Sequence, residues 1–184
     1  ALPDRPAQRP AEESAKEYLD GGNVWDDGPD TEENTTIAEG KLKMASFNKI
    51  IEKMTSHDAE RDMLLKTFVL THTSVTTPEA FLDKLLQRFD VPPDKSIERT
   101  AVQARVCNTL LVWLSNHFDT LPIDVIDQVE RLTESLKSDP ALKGWATRMM
   151  SLINRKRSEI EEEEERQFGV RIEDLDAVGT EAPM

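Results

Sequence analysis

Three histidines, one cysteine and a scatter of carboxylate pairs are the groups in this 184-residue chain with the chemistry to act on a substrate. His57, His72 and His117 stand far apart and share no spacing that would bring two imidazoles to one metal ion. His72 and His117 fall on apolar faces of helical patterns, which points to hydrogen-bonded core histidines rather than general bases. Cys107 lies in the segment with the most apolar surface, where burial keeps a thiol protonated and inert. Asp26-Asp27 sits where no apolar periodicity surrounds it, so nothing desolvates the pair enough to tune one carboxylate for acid–base work. Neither GxxxxGK[ST] nor GxGxxG occurs, so no phosphate-cradling loop is present. Met63, Met149 and Met150 read as gap-filling core side chains. Arg155-Lys156-Arg157 is short and is neutralised by neighbouring glutamates from Glu159 onward, which excludes a nucleic-acid face. The sequence therefore offers no catalytic, cofactor-binding or metal-ligating residue, and it singles out no partner-contact residue. An enzyme is not expected.

The elements that carry these residues are framed by an uneven charge. The formal net charge is −13, with 38% hydrophobic and 32% charged residues. Residues 1–40 hold eleven acids against three bases, and residues 159–184 hold ten against two. The middle of the chain is slightly basic. Acidic ends on a near-neutral body favour solubility and weak association over nucleic-acid binding. A single cysteine cannot close an internal disulfide, which fits a reducing compartment. No apolar run has the length of a membrane span and no secretory pattern opens the chain, so a soluble, cytoplasmic protein without direct membrane insertion is expected.

Residues 1–35 carry four prolines and many acids and read as a largely disordered acidic tail. Residues 11–19 have the pattern of a short helix. Val24-Trp25 is either a docking motif or a tail segment packing on its own domain, and the second reading is preferred. A short extended segment is expected around Gly40. Then come apolar stripes at 3.6-residue spacing: Phe47, Ile50, Ile51 and Met54; Leu64, Leu65, Phe68, Val69 and His72; Phe81, Leu82, Leu85, Leu86 and Phe89. Pro92-Pro93 excludes further helix. Residues 99–116 read as a helix with Val102, Val106, Leu110, Trp113, Leu114 and His117 on one stripe and Leu111 and Val112 beside it, which places it at the centre. Pro122 opens a helix with Val125, Ile126, Val129, Leu132 and Leu136 inward, and Asp139-Pro140 reads as a cap and start for the last one. That helix turns polar at Asn154. Arg155 with Glu159 and Arg157 with Glu161 are four apart and can pair. Five glutamates at 161–165 oppose the helix dipole, so a fraying extension is expected, with a charged partner-binding rod as the alternative.

The stretch at 66–89, KTFVLTHTSVTTPEAFLDKLLQRF, organises the rest: a helix, a polar break and a second helix lying back against the first. Thr77 can cap the second helix, Pro78 suits its first position, and Glu79 complements the dipole. These residues resemble the N-terminal module of Ras-family guanine nucleotide exchange factors, the Ras exchanger motif. Its pattern is an aromatic–aliphatic run, then T-Y-R-S-F-T-T-P, then a leucine-rich helix ending in R-Y or R-F. Here Phe68-Val69-Leu70 precedes Thr71 to Pro78, with His72, Thr73 and Val75 in place of tyrosine, arginine and phenylalanine. The run from Gly40 to Phe47 with Ile50 to Thr55, and that from Val106 to Leu114 with Phe118-Asp119, are similar to the family's flanking segments. The likeness covers about residues 36–155. It implies an all-α fold, a compact bundle of about six helices built on the central hairpin at 36–160, with disordered acidic termini at 1–35 and 161–184. It also implies a non-catalytic, regulatory role: the module supports a separate catalytic exchange domain, which no segment here is long enough to contain, and in some relatives it helps bind a Ras-family small GTPase. That GTPase would be lipid-anchored, and recruitment to a membrane would come through it. No cofactor is implied. A free-standing helical adaptor holding a partner peptide or helix in an apolar groove is the alternative. A docking module should expose apolar residues on the hairpin or late helices, and an adaptor should show a continuous groove.

Overall fold

A computed structural model describes residues 22–39, 41–57 and 61–168. Among these, six α-helices follow a two-stranded antiparallel hairpin. Strand β1 spans Thr35–Ala38 and β2 spans Lys41–Ala45, with a register irregularity between Thr36 and Ile37. The helices are α1 (Phe47–Met54), α2 (Arg61–Thr71), α3 (Pro78–Phe89), α4 (Arg99–His117), α5 (Ile123–Leu136) and α6 (Lys143–Phe168). The all-α architecture follows the periodicity, and the extended segment around residue 40 is the small hairpin. The expected helix at 11–19 and the tail beyond Phe168 lie outside the described residues.

Local signals set the boundaries. The Ser46 hydroxyl accepts from the Lys49 backbone N–H and starts α1. Thr77 does the same for α3, accepting from Ala80 at 3.2 Å with Pro78 in the first turn. Between α2 and α3 the chain makes a 3-10 turn, His72–Ser74. Asp139 caps a turn, accepting from Ala141 at 2.8 Å, but regular helix begins only at Lys143, a turn later than the proline suggests.

Helix α4 is the axis of the core, packing against α2, α3 and α6, while α5 and α6 lie together. The α2–α3 hairpin differs from expectation in one respect. Its two helices meet through side chains, Phe68 edge-on to Phe81 at 5.1 Å between ring centroids. Their backbones lie closer to α1 and α4 than to each other. The reason is steric: Phe68, His72, Phe81 and Trp113 fill the space between, with His72 and Trp113 at 5.6 Å and Phe81 and Trp113 at 4.8 Å. The folded body also begins upstream of residue 36. Val24 is buried in the core and Trp25 packs against it, so residues 22–34 are a strap across α1 and α3 rather than part of a loose tail. At the other end, α6 continues as helix to Phe168 through the glutamate run.

Candidate functional site

The potentially reactive side chains have structural employment. His72 is fully buried; its Nδ1 lies 2.8 Å from the Val69 carbonyl, and the indole N–H of Trp113 donates to its Nε2 at 3.1 Å. Those partners fix a neutral ring with the proton on Nδ1, since Nε2 must accept. Burial holds its pKa below the ordinary imidazole value, the Val69 carbonyl opposes that, and His117 adds to it. His117 donates from Nε2 to the same Val69 carbonyl at 2.7 Å. Two imidazoles thus satisfy an oxygen near the C-terminal end of α2. Cys107 is buried, and burial pushes its thiol up to about 12. His57 stands apart, following α1 in a bend. Among the described residues no group of three or more His, Cys, Asp or Glu side chains is placed to hold a metal ion.

The carboxylate and basic runs serve the same end. Asp27 accepts from the Ser46 hydroxyl at 2.7 Å and from the Asn48 amide at 2.9 Å, and Asp26 accepts from the Asn23 backbone. Arg155 pairs with Glu159 as the spacing predicts. Arg157 does not take Glu161; it reaches across to Asp127 and Glu130 of α5, at 3.2 and 2.7 Å. The carboxylates of a neighbouring helix offer a partly shielded pair, which outcompetes an exposed partner on its own helix.

Sequence reasoning missed three buried cations. Lys49 is fully buried, with its ammonium on the Gly28 carbonyl, on Glu52 at 2.8 Å and near Asp30 at 3.3 Å. Burial alone would lower its pKa, but the Glu52 hydrogen bond and Asp30 outweigh this and raise it. Lys84 donates to the Gly22 carbonyl at 2.6 Å. Arg88 donates to the Thr55 hydroxyl at 2.9 Å and stacks on the Trp25 ring, 3.9 Å from its centroid. Burial pulls the Arg88 pKa down, with Glu52 and Glu98 opposing. The signal for all three was the acidic, carbonyl-rich strap itself, which has few bases nearby in sequence.

Several large apolar side chains are exposed: Met63, Leu70 and Val75 on α2 and the turn after it, and Ile37 and Met44 on the β-hairpin. Met44 and Val75 face a groove of about 640 Å³. Its floor is Phe47, Ile50 and Phe68; one wall is residues 33–36 with Met44, the other Thr71 and Val75. A second cleft, about 390 Å³, lies between α2, α4 and the start of α6. It gathers Arg61, Lys66, Arg105 and Asn108 around Leu65, Val112 and the half-buried Trp145. Arg148 stacks on that tryptophan at 4.9 Å.

Comparison with known proteins gives a family match over the middle of the chain. The family model described as the RasGEF N-terminal motif matches residues 41–137. The chain is similar to Ras guanine nucleotide exchange factor J of Dictyostelium discoideum, 34% identical over 119 residues, covering 59% of this chain and 14% of that protein. It is 30% identical over 138 residues to exchange factor A of the same organism, covering 64% and 22%, and 36% identical over 107 residues to exchange factor I, covering 53% and 13%. The chain thus spans less than a quarter of the length of these relatives.

Proposed function

The chain belongs to the RasGEF N-terminal motif family, and from that premise we propose that it acts as the non-catalytic, regulatory module of a Ras-family guanine nucleotide exchange factor, docking and supporting the catalytic exchange domain. The observation that carries this reading is the position of the exposed apolar residues. Val75, in the turn after the first helix of the central hairpin, and Met44 both line the 640 Å³ groove, and Met63 and Leu70 are exposed on that helix. Exposed apolar side chains beside an apolar groove are the composition of an interface. No reactive group is needed, because a docking module works by rigidity and shape complementarity.

The test is binding of this chain to the purified catalytic domain of a Ras guanine nucleotide exchange factor, measured by calorimetry. Val75→Asp and Met44→Asp should weaken it about tenfold or more, the loss expected when a charge is set into a buried apolar contact. The chain alone should not accelerate nucleotide release from the GTPase. Unaltered affinity in both variants would sink the reading. The groove is also continuous enough for a peptide or helix, as an adaptor would require; a helical peptide that binds there, with no affinity for the catalytic domain, would favour that second reading.

The α2–α4–α6 cleft supports a finer proposal, contact with the GTPase itself. A half-buried tryptophan bordered by arginines is the composition of an interaction hot spot. Arg105→Glu or Trp145→Ala should weaken GTPase binding while leaving catalytic-domain binding unchanged.

A further inference from the structure

The outer wall of the groove is poorly held by apolar burial. Its β-hairpin fully buries no large side chain: Ile37 is 57% and Met44 70% exposed, and Leu42 is only half-buried. A two-stranded hairpin is marginal by itself, so its place must be set from outside. Chain continuity shows how. The wall residues Glu33 to Thr36 are the end of the strap and its direct continuation into β1, and the Asn34 carbonyl accepts from the Ser46 backbone N–H at 2.9 Å. Upstream, the strap is anchored by polar ties to α1: Asp27 on Ser46 and Asn48, Gly28 on Lys49, and Asp30 on Lys49 and Lys53, the last at 2.7 Å. Val24 and Trp25 secure its far end on α3, through the Gln87 side-chain and backbone oxygens at 3.1 and 2.9 Å.

We infer that residues 22–34 form a latch that sets the position of the groove's outer wall, with Lys49 as the positioning residue, so that the docking site is open only as far as the latch allows. The inference rests on the groove being the docking site only for its importance, not for its geometry. Lys49 is suited to the task because a fully buried ammonium tolerates few alternatives. Releasing the strap would leave this buried charge held by Glu52 alone, which opposes release. The strap lies outside the matched residues 41–137, so nothing in the family match assigns it a role.

The experiment is a spin-label distance measurement on the full chain, with labels at the exposed Thr36 and Thr71 on opposite walls and a control pair at Ser135 and Thr147 on α5 and α6. In the parent chain the groove pair should give one narrow distance population. Lys49→Met, which keeps the volume and removes the charge, should shift the groove pair to longer distance and abolish the single population, with the control pair unmoved. Asp27→Asn and Asp30→Asn, which leave the core intact, should do the same to a smaller extent and serve where Lys49→Met does not fold. Unchanged groove distances in the strap-side variants, or equal movement of the control pair, would overturn the inference. Because no partner is present, the outcome is independent of the docking reading: a groove that opens without loss of catalytic-domain affinity would sink the docking proposal and leave the latch standing.

Discussion

Acidification from about pH 7.5 to about pH 5.5 should destabilise this chain chiefly through His72. The native ring is neutral: its Nε2 accepts from Trp113 and its Nδ1 faces the Val69 carbonyl, in a site with no exposure. Protonation would set two N–H groups, Nε2 and the Trp113 indole, against each other. The folded pKa is therefore held below the ordinary value of 6.5. Above that value both states are neutral and His72 contributes nothing to the pH dependence. Below it the unfolded chain takes a proton that the native chain refuses, so stability falls with falling pH until the folded pKa is reached. One such proton gives a slope of at most about 1.4 kcal/mol per pH unit, so the loss one unit below the ordinary pKa is about 1 kcal/mol. The facing titratable group is His117, 4.9 Å away ring to ring, and its protonation would add repulsion. Asp30 does not interfere. The Lys53 hydrogen bond lowers its pKa from 3.8, so its contribution is lost only at lower pH. Urea unfolding at half-unit pH steps measures the effect, and His72→Gln provides the control, because an amide can keep both hydrogen bonds without titrating. A flat profile in the parent chain, or the same slope in His72→Gln, would refute the assignment of the neutral ring.

Three further outcomes follow from the packing. Phe81→Ala removes a fully buried ring set edge-on between Phe68 and Trp113 and should cost about 3–5 kcal/mol in chemical denaturation. Trp25→Ala removes the strap's anchor, including its stack with Arg88 and its bond to the Gln87 carbonyl, and should cost about 2 kcal/mol while leaving the helical circular dichroism signal nearly unchanged. Cys107, with its thiol pushed up to about 12, should react with a disulfide reagent at pH 8 no faster than the chain opens, so that labelling tracks denaturant concentration; rapid stoichiometric labelling of the native chain would contradict its burial.

The helices were legible because their apolar residues recur with the helical period and because the start of α3 carries explicit chemistry, Thr77-Pro78. The central place of α4 was legible too, since it carries apolar residues on more than one of its faces. The strap was not. Its ties to Lys49, Lys84 and Gln87 span 21 to 63 residues of sequence, and a lysine beside apolar neighbours reads as solvated until its partners are seen. Arg157 shows the same limit from the other side: spacing along one helix named Glu161, whereas the fold supplied Asp127 and Glu130. The groove was illegible for a different reason. Periodicity assigns apolar residues to the core, and cannot tell that Met44 and Val75 are left facing outward.

Helix α6 has a practical consequence for anyone handling this domain. It starts after the matched residues end, yet Leu142, Ala146, Met149 and Ile153 are fully or almost fully buried, and both α4 and α5 pack against it. Trimming an expression clone to the matched boundaries would strip those two helices of their cover. The product should precipitate or self-associate, and its misbehaviour would say nothing about the biology of the intact module.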